Sequence, residues 1–222
     1  PDCAVTPGLP ATVPVPRLLV VSDRSLVPLD ELVELFARLA DAAPPGSLGL
    51  YFREPGLGDA EAIAVLGRLV SVGAARGRAA PVYVRGRVDL AAAVGAAGVQ
   101  LQGDGVTPEQ ARAIGPGLRL GYSAHRADEV LAMAGRVDHL TFSPVFATPG
   151  KGRPAGPERL AEACRAAGRT PVLALGGIDG AGRASEAAAA GAWGVAVIRA
   201  VLAALAPAQA ARELLEALEA HI

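Results

Sequence analysis

The chain has 222 residues, of which 51% are hydrophobic, and its net charge is −1. That length suits one domain with a sizeable core, and the near-neutral charge without a basic stripe excludes a nucleic-acid-binding surface. No apolar run reaches the ~18 residues of a membrane helix, and the two isolated cysteines, Cys3 and Cys164, offer no disulfide framework, which predicts a cytoplasmic protein.

The first 16 residues contain five prolines and no hydrophobic periodicity, which predicts an extended, proline-rich arm before a domain that spans 17–222. Short apolar runs then alternate with stretches whose apolar residues recur at helical spacing. The predicted strands are Arg17–Val21, Leu48–Arg53, Pro81–Val84, Gly98–Leu101, Leu118–Ser123, His139–Phe142, Pro171–Leu175 and Trp193–Ile198. The predicted helices are Leu29–Ala40, Asp59–Gly73, Val88–Ala97, Glu109–Ile114, Asp128–Ala134, Pro157–Ala167, Gly182–Ala190, 200–205 and 208–220.

Most of the eight strands are uninterrupted apolar runs with short connections to the next helix, which indicates a parallel sheet covered by helices. Eight such units predict a closed (β/α)8 TIM barrel. An open doubly wound sheet is the alternative, but no GxGxxG follows the first strand. Local signals include Asp30 as a helix N-cap, Thr107 as an N-cap before Pro108, and a buried stripe at Ile63, Leu66 and Val70.

In such a barrel the chemistry lies just after the strands, and the loop at 143–156 is the richest of these segments. It combines glycines and prolines with Thr148, Lys151 and Arg153, and Lys151 is the only lysine of the chain. Glycines give a ligand access to backbone amides, and cations attract it, so the loop is predicted to be an anion-binding lid. The alternative is an ordinary solvated loop.

A second candidate for anion binding is the pair Gly176 and Gly177 after strand 7, together with Ile198 and Arg199 at the end of strand 8. The loops after these two strands form the recurrent phosphate site of barrels. A glycine pair that merely permits a tight turn is the alternative.

His125, close to Ser123 at the end of strand 5, is the candidate general acid and base, since a histidine titrates near neutral pH. A structural histidine that caps helix 5 is the alternative, and His139, at the start of a strand, is predicted to be structural. Carboxylates that could hold Mg²⁺ on a diphosphate are scarce after the strands, and Asp104 and Asp23 are the available ones.

The body of the chain, 17–205, resembles the thiamine phosphate synthase superfamily, which includes the thiazole tautomerases of the TenI type. The segments that carry the resemblance are Gly-Val-Gln-Leu at 98–101, Gly-Tyr-Ser-Ala-His at 121–125, Ser-Pro-Val-Phe-Ala-Thr-Pro-Gly-Lys at 143–151, Ala-Leu-Gly-Gly-Ile at 174–178 and Gly-Val-Ala-Val-Ile at 194–198. The resemblance implies that a thiazole phosphate lies on Gly176, Gly177 and the backbone of Ile198 and Arg199, beneath Thr148 and Lys151. It also implies a homodimer.

The chain departs from the synthase pattern where that pattern holds its metal. Of Gln-x-Arg-x-Lys after strand 2, only the arginine, Arg53, is kept, since Tyr51 and Pro55 replace the other two residues. Arg-Gly-Arg at 85–87 replaces Asn-Asp-Arg, and the second metal aspartate falls on Gly105. Both metal carboxylates of the pattern are therefore missing.

These departures make a thiazole tautomerase that needs no cofactor the first hypothesis. By resemblance His125 transfers the proton, Gln100, Tyr122 and Ser123 match the tautomerase pattern, and one of Arg53, Arg85 and Arg87 could clamp the substrate carboxylate. The second hypothesis is a Mg²⁺-dependent thiamine phosphate synthase, whose ligands would be Asp104 and Asp23. The third is a catalytically silent protein that binds the phosphorylated ligand. In each case the partner is a small phosphorylated thiazole, with no nucleic acid and no membrane.

Overall fold

The structure is a computed structural model that describes residues 14–75 and 79–220. The predicted arm, 1–16, falls outside the described residues except for its last three. The strands are β1 (Leu18–Val21), β2 (Leu48–Phe52), β3 (Val82–Arg85), β4 (Gly98–Leu101), β5 (Arg119–Ala124), β6 (His139–Phe142), β7 (Val172–Leu175) and β8 (Gly194–Val197). The helices are α1 (Leu29–Ala42), α2 (Asp59–Ala74), α3 (Val88–Ala93), α4 (Pro108–Ile114), α5 (Ala127–Met133), α6 (Gly156–Ala167), α7 (Ala181–Ala189), α8 (Arg199–Leu202) and α9 (Pro207–Glu219).

The eight strands form one closed barrel in chain order, and every neighbouring pair is parallel. β1 closes the sheet against β8, with Leu18 opposite Val195. The predicted (β/α)8 barrel is therefore confirmed. Among the described helices, none is both long enough and apolar enough to cross a membrane.

The strands are apolar throughout because both of their faces are buried. One set of side chains packs outward against the helices, as Val20 does with Phe36 and Leu66 in the large outer core. The alternate set fills the interior of the barrel in a separate core made of Leu19, Val21, Tyr51, Tyr83, Leu173 and Ala196. This alternation also fixes which side chains reach the open end of the barrel.

The end of the barrel at the start of the strands is closed by the chain that leads into β1. The Trp193 indole donates a hydrogen bond to the Val15 carbonyl (3.0 Å), and the Arg17 guanidinium stacks 4.9 Å from the centre of the same ring. Arg17 also donates to the carbonyl of Leu218 in α9 (2.7 Å). The opposite end, where the strands finish, is called the mouth below.

Several local predictions were wrong or inexact. Asp30 is not the N-cap of α1, because the helix already begins at Leu29, and the Asp30 carboxylate pairs with Arg68 instead (3.0 Å). Ile63 is 45% exposed, since α2 turns Leu66, Val70 and their neighbours to the core and leaves Ile63 at the edge. The helix predicted over 88–97 ends at Ala93, and the one predicted over 200–205 is a single turn, α8. Thr107 is the N-cap of α4, as predicted, in a capping box with Gln110.

Candidate functional site

The two larger cavities at the mouth contain the candidate residues, because parallel strands bring all their carboxyl ends to one side. The first lies at the ends of β7 and β8 under the loop that follows β6, and it has a volume of about 510 Å³. It is called the Gly-Gly cavity here, and its lining includes Asp23, Thr148, Lys151, Gly176, Gly177, Arg183, Ile198 and Arg199. The loops after β6, β7 and β8, which are far apart in sequence, thus meet around one space.

Gly176 and Gly177 are glycines for two separate reasons. Both have positive φ angles, +100° and +66°, which other residues adopt only with strain. In addition, a Cβ atom on Gly177 would lie 2.5 Å from the carbonyl oxygen of Ala147, and one on Gly176 would lie 2.8 Å from the Cα of Pro144. The turn is therefore both a tight bend and the surface on which the β6 loop rests.

The charges around the Gly-Gly cavity favour an anion. Lys151 is exposed and Arg199 stands at the start of α8, while Asp23 is already engaged by the hydroxyl (2.6 Å) and amide (3.0 Å) of Ser25. The hydrogen bond from the Ser25 side chain lowers the pKa of Asp23, and the charges of Arg53 and Arg199 lower it further. Thr148 donates its hydroxyl to the Phe146 carbonyl (3.0 Å) and lines the cavity from above.

The second cavity, of about 340 Å³, lies at the ends of β3, β4 and β5. It is called the Arg85 cavity here and is lined by Arg85, Gln102, Gly103, Asp104, Tyr122, Ser123, His125 and Glu129. None of the described residues lines both cavities. The candidate proton-transfer residue and the candidate phosphate residues therefore stand on different parts of the same mouth.

The His125 ring is exposed and held in one orientation. Its Nδ1 lies 2.8 Å from the Ser143 carbonyl oxygen, so in the neutral ring Nδ1 carries the proton and Nε2 keeps a free lone pair. The backbone amide of His125 donates to Glu129 (2.7 Å), and Arg126 is the N-cap of α5 without a side-chain bond. The ring therefore does not cap helix 5. Ser143 begins the β6 loop, so His125 is tied to the segment that covers the Gly-Gly cavity.

Ser123 belongs to a buried hydrogen-bond network beneath the Arg85 cavity. The Gln100 amide nitrogen lies 3.2 Å from both the Ser123 hydroxyl and the Thr141 hydroxyl, and the Gln100 carbonyl oxygen lies 3.0 Å from Nε2 of His139. His139 is fully buried, and burial lowers its pKa to about 4, so its ring is neutral and Nε2 donates to Gln100. His139 is thus structural, as predicted, and it orients Gln100, which in turn fixes Ser123.

Gly121, below Ser123 on β5, leaves the space that this network needs. A Cβ atom at this position would collide with the Gln100 carbonyl oxygen and with the His139 ring. In the Gly-Tyr-Ser-Ala-His segment the glycine therefore leaves room for the buried network. Tyr122, Ser123 and His125 of the same segment line the cavity.

Arg53 and Tyr51 lie between the two cavities. Burial raises the pKa of Tyr51 to about 12, against the opposing effect of the neighbouring Arg85 and Arg53 charges and of hydrogen bonds with Arg85 and Ser123. Tyr51 therefore keeps its proton and is a neutral donor in the mouth. Arg53 follows β2, which lies between β1, the strand before Asp23, and β3, the strand that ends at Arg85, and it lines neither cavity.

The two aspartates considered as Mg²⁺ ligands are not brought together. Asp23 lines the Gly-Gly cavity and Asp104 lines the Arg85 cavity. Over 14–75 and 79–220, no three His, Cys, Asp or Glu side chains form a group that could hold a metal ion. The residues present do not fit the hard oxygen-ligand set that Mg²⁺ prefers.

Sequence reasoning missed Arg183 of α7. Its guanidinium donates to the Gly177 carbonyl, pairs with Asp179 (3.1 Å) and packs 5.3 Å from the centre of the Phe146 ring. It thereby locks the glycine turn to the β6 loop, and because Asp179 lines the Gly-Gly cavity as well, the ion pair leaves the net charge of the cavity unchanged. No local pattern marked it, because its partners come from two other loops.

Comparison with known proteins identifies relatives across the whole barrel. A family model described as thiamine monophosphate synthase (TMP-TENI) matches residues 18–201. A thiamine-phosphate synthase from Thermus thermophilus is 36% identical over 161 residues, which cover 71% of this chain and 68% of that protein. A bifunctional thiamine biosynthesis protein from Symbiobacterium thermophilum is 39% identical over 173 residues, 71% of this chain and 35% of that longer protein.

Comparison with solved structures also identifies similar proteins. A thiamine phosphate pyrophosphorylase from Pyrococcus furiosus superimposes with a TM-score of 0.82 at 30% identity and covers 93% of this chain and 96% of its own. A thiamine phosphate pyrophosphorylase from Bacteroides thetaiotaomicron superimposes with a TM-score of 0.68 at 17% identity, covering 93% and 99% of the two chains. The second match supports the fold alone.

Proposed function

The chain belongs to the thiamine monophosphate synthase family, and on that premise we propose that it acts in thiamine biosynthesis on a phosphorylated thiazole bound at the mouth of the barrel. The identity to the named relatives over most of the chain carries this proposal. The Gly-Gly cavity supports it, because a space of about 510 Å³ suits a small phosphorylated molecule.

In this proposal the phosphate lies on the turn at Gly176 and Gly177, where backbone amides can approach it closely. Lys151 and Arg199 supply the opposing positive charge, and Thr148 closes the cavity from the β6 loop. The thiazole ring then extends across the mouth toward Tyr51 and the Arg85 cavity. Binding energy would thus come from one end of the ligand and leave the other end free to react.

The comparisons favour the coupling reaction that gives the relatives their name. In that reaction a hydroxymethylpyrimidine diphosphate is joined to the thiazole phosphate and pyrophosphate leaves. From the sequence alone this activity is the second hypothesis, and the names of the relatives make it the first. Since the side chains do not fit a Mg²⁺ site, coupling in this chain depends on Arg53, Arg85 and Lys151 for charge.

The geometry of His125 favours a second candidate, the isomerisation of a thiazole phosphate carboxylate. The Ser143 carbonyl fixes the Nδ1 proton, so the free lone pair on Nε2 faces outward and can take a proton from carbon and return it. This reaction needs no metal, which agrees with the missing carboxylates. A histidine that moved protons in this way would be needed for isomerisation and not for ligand binding.

One set of assays with purified protein separates the candidates. Thiamine phosphate formation from both substrates establishes coupling, and solvent deuterium exchange into the thiazole phosphate carboxylate, followed by NMR, establishes isomerisation. If isomerisation occurs, His125→Gln should slow it by about 10²–10⁴-fold while the thiazole ligand binds as before. Unchanged exchange in the variant would rule out His125 as the base.

Two further outcomes bear on the proposal as a whole. Binding of the thiazole phosphate without either reaction would leave the silent binding protein as the function. No binding at ligand concentrations in the millimolar range would contradict the proposed substrate itself. Arg153, which the sequence assigned to the anion-binding lid, is exposed and lines neither cavity. Arg153→Gln is therefore a suitable control and should react as the parent does.

A further inference from the structure

We propose that the Arg85 cavity is a subsite for an anionic oxygen group, a carboxylate or a diphosphate, which Arg85 binds directly without a divalent cation. The identity of the substrate that brings this group rests on the function proposed above. The existence of the subsite rests on the residues of the cavity and can be tested apart from it.

Arg85 is the last residue of β3 and is placed to meet a ligand. It lines the Arg85 cavity and also the smaller adjoining cavity of about 190 Å³ between the ends of β2 and β3. The side chain is half-buried, and its Nε is fully buried with no hydrogen-bond partner among the described residues. No carboxylate of the described chain forms an ion pair with it. A half-buried guanidinium without an ion-pair partner is costly to keep unless a ligand supplies one.

Arg87, two residues later, shows what a satisfied arginine looks like in the same region. Its guanidinium bonds to the carboxylates of Asp59 (2.8 Å) and Asp89 (2.7 Å). These bonds raise the pKa of Arg87, lower those of Asp59 and Asp89, and occupy four of the five N–H donors of the guanidinium. Arg87 does not line the Arg85 cavity. The two arginines therefore differ in availability and not in charge.

The remaining charges of the cavity do not favour a metal ion. Glu129 is occupied by the Arg126 guanidinium (3.3 Å) and by the amide of His125 (2.7 Å). Asp104 is exposed and is the one carboxylate of the lining left without such a partner in the described chain. Arg85 and Asp104 line the same cavity, so their opposite charges leave little net charge to attract Mg²⁺. Water screens the exposed Asp104 more strongly than the half-buried Arg85, so the cavity favours an anion.

Neutral donors complete the subsite. The hydroxyls of Ser123 and Tyr122 line the same space, and Tyr51 keeps its proton beside Arg85. Ser123 is held from below by Gln100. An anion bound to the guanidinium would thus meet hydroxyl donors in fixed positions, which is the environment that oxyanions prefer. The family pattern has an asparagine at position 85 and a metal-binding aspartate at position 86, so Arg-Gly at 85–86 exchanges a metal ligand for a cationic side chain.

The test is calorimetric titration with three probes, each in EDTA and again in Mg²⁺. The probes are the thiazole phosphate carboxylate, the same thiazole phosphate without its carboxylate, and inorganic pyrophosphate. In EDTA the carboxylate should strengthen binding about 10-fold or more, the size expected of a charge-assisted hydrogen-bonded pair. Arg85→Gln should abolish this difference in affinity between the ligands with and without the carboxylate, and Arg87→Gln should preserve it. Melting temperatures confirm that both variants fold.

The outcomes decide separately for the subsite and for the proposed function. If neither thiazole ligand binds, the proposed substrate is wrong, and pyrophosphate then tests the subsite alone. Pyrophosphate binding that survives EDTA and is lost in Arg85→Gln supports the subsite. The subsite is overturned if pyrophosphate binds only with Mg²⁺, or if neither the thiazole ligands nor pyrophosphate bind. It is also overturned if Arg85→Gln leaves unchanged the ratio of the affinities for the two thiazole phosphates, with and without the carboxylate.

Discussion

The Gly-Gly cavity and the Arg85 cavity share one mouth but are built from different parts of the chain. The first is shaped by backbone, since Gly176 and Gly177 have conformations and contacts that no larger residue can reproduce. The second is shaped by side chains that project from β3, β4 and β5. A cavity made of backbone cannot change by one substitution without damage to the loops around it. A cavity made of side chains can change its chemistry while the barrel stands.

This difference accounts for where the chain keeps the family pattern and where it departs from it. The glycine turn and the β6 loop are retained, whereas Gly86 and Gly105 replace the two metal aspartates of the pattern and Arg85 replaces its asparagine. Phosphate binding and the chemistry of the reaction are therefore separable properties of the same mouth.

The largest effect that would test the comparison is expected from Gly177→Ala. The new Cβ would lie 2.5 Å from the Ala147 carbonyl oxygen at a φ of +66°, so the β6 loop must move, at a cost of about 2–4 kcal/mol in the free energy of unfolding. Binding of the phosphorylated thiazole should be lost as well. Chemical denaturation and titration measure the two effects.

Gly182→Ala in α7 is the matched control, because a Cβ atom at that position meets no atom within 4 Å. It should raise the free energy of unfolding by up to about 1 kcal/mol. If the two variants were equally stable and both bound ligand, the Gly-Gly cavity would not be fixed by its backbone.

A change of pH is expected to have an intermediate effect on the free energy of unfolding, through His139 in the hydrogen-bond network beneath the Arg85 cavity. The pKa of His139 is about 4 in the folded protein, below the ordinary value of 6.5, so the unfolded chain binds the extra proton first. The contribution of the neutral, buried His139 ring to the free energy of unfolding is therefore complete above pH 6.5 and falls as the pH decreases toward 4. Between pH 7 and pH 5 the free energy of unfolding should fall by about 2 kcal/mol from this residue.

His139→Gln removes this titration and should flatten the pH dependence over that interval, although the variant loses the edge contact of the ring with Tyr83 and is less stable at pH 7. Urea unfolding at several pH values gives the two slopes. An identical slope in both proteins would show that the buried ring does not determine the acid stability of the network under Ser123.

The smallest effect is expected from Lys151→Gln. Lys151 is exposed on the Gly-Gly cavity, so its attraction for a phosphate is partly screened by water and should be worth at most about 1 kcal/mol, a few-fold in affinity. The loss should be largest at low ionic strength and disappear at about 1 M salt. Titration across a salt series measures it, and an equal loss in Arg153→Gln would mean that only the general charge of the loop matters.

The fold could be predicted because each βα unit carries its own local signals. The strands are buried on both faces and so read as apolar runs, and the helices show one buried stripe, which made the closed barrel predictable before any contact was known. The ends of helices were harder to predict where they depend on a contact with another element. Asp30, for example, has a residue type typical of an N-cap, yet its carboxylate is drawn to Arg68 of α2.

The site could be predicted only in part, for a related physical reason. Its residues follow the strands, which places them at the mouth, but the pairing among them depends on side chains from distant strands. Gln100 and His139 are 39 residues apart in sequence, and Arg183 reaches Gly177 and Phe146 across two loops. Likewise, only the closed barrel shows that Asp23 and Asp104 stand in different cavities.

The hydrogen bond from Arg17 to Leu218 has a consequence for the connectivity of the barrel. It joins the residue before β1 to the last full turn of α9, so the two ends of the folded body lie one side chain apart, on the side away from the mouth. A short peptide could span that gap and turn the barrel into a covalent ring. New ends could then be opened in an exposed turn between a helix and the next strand, as in circularly permuted domains, with both cavities left intact.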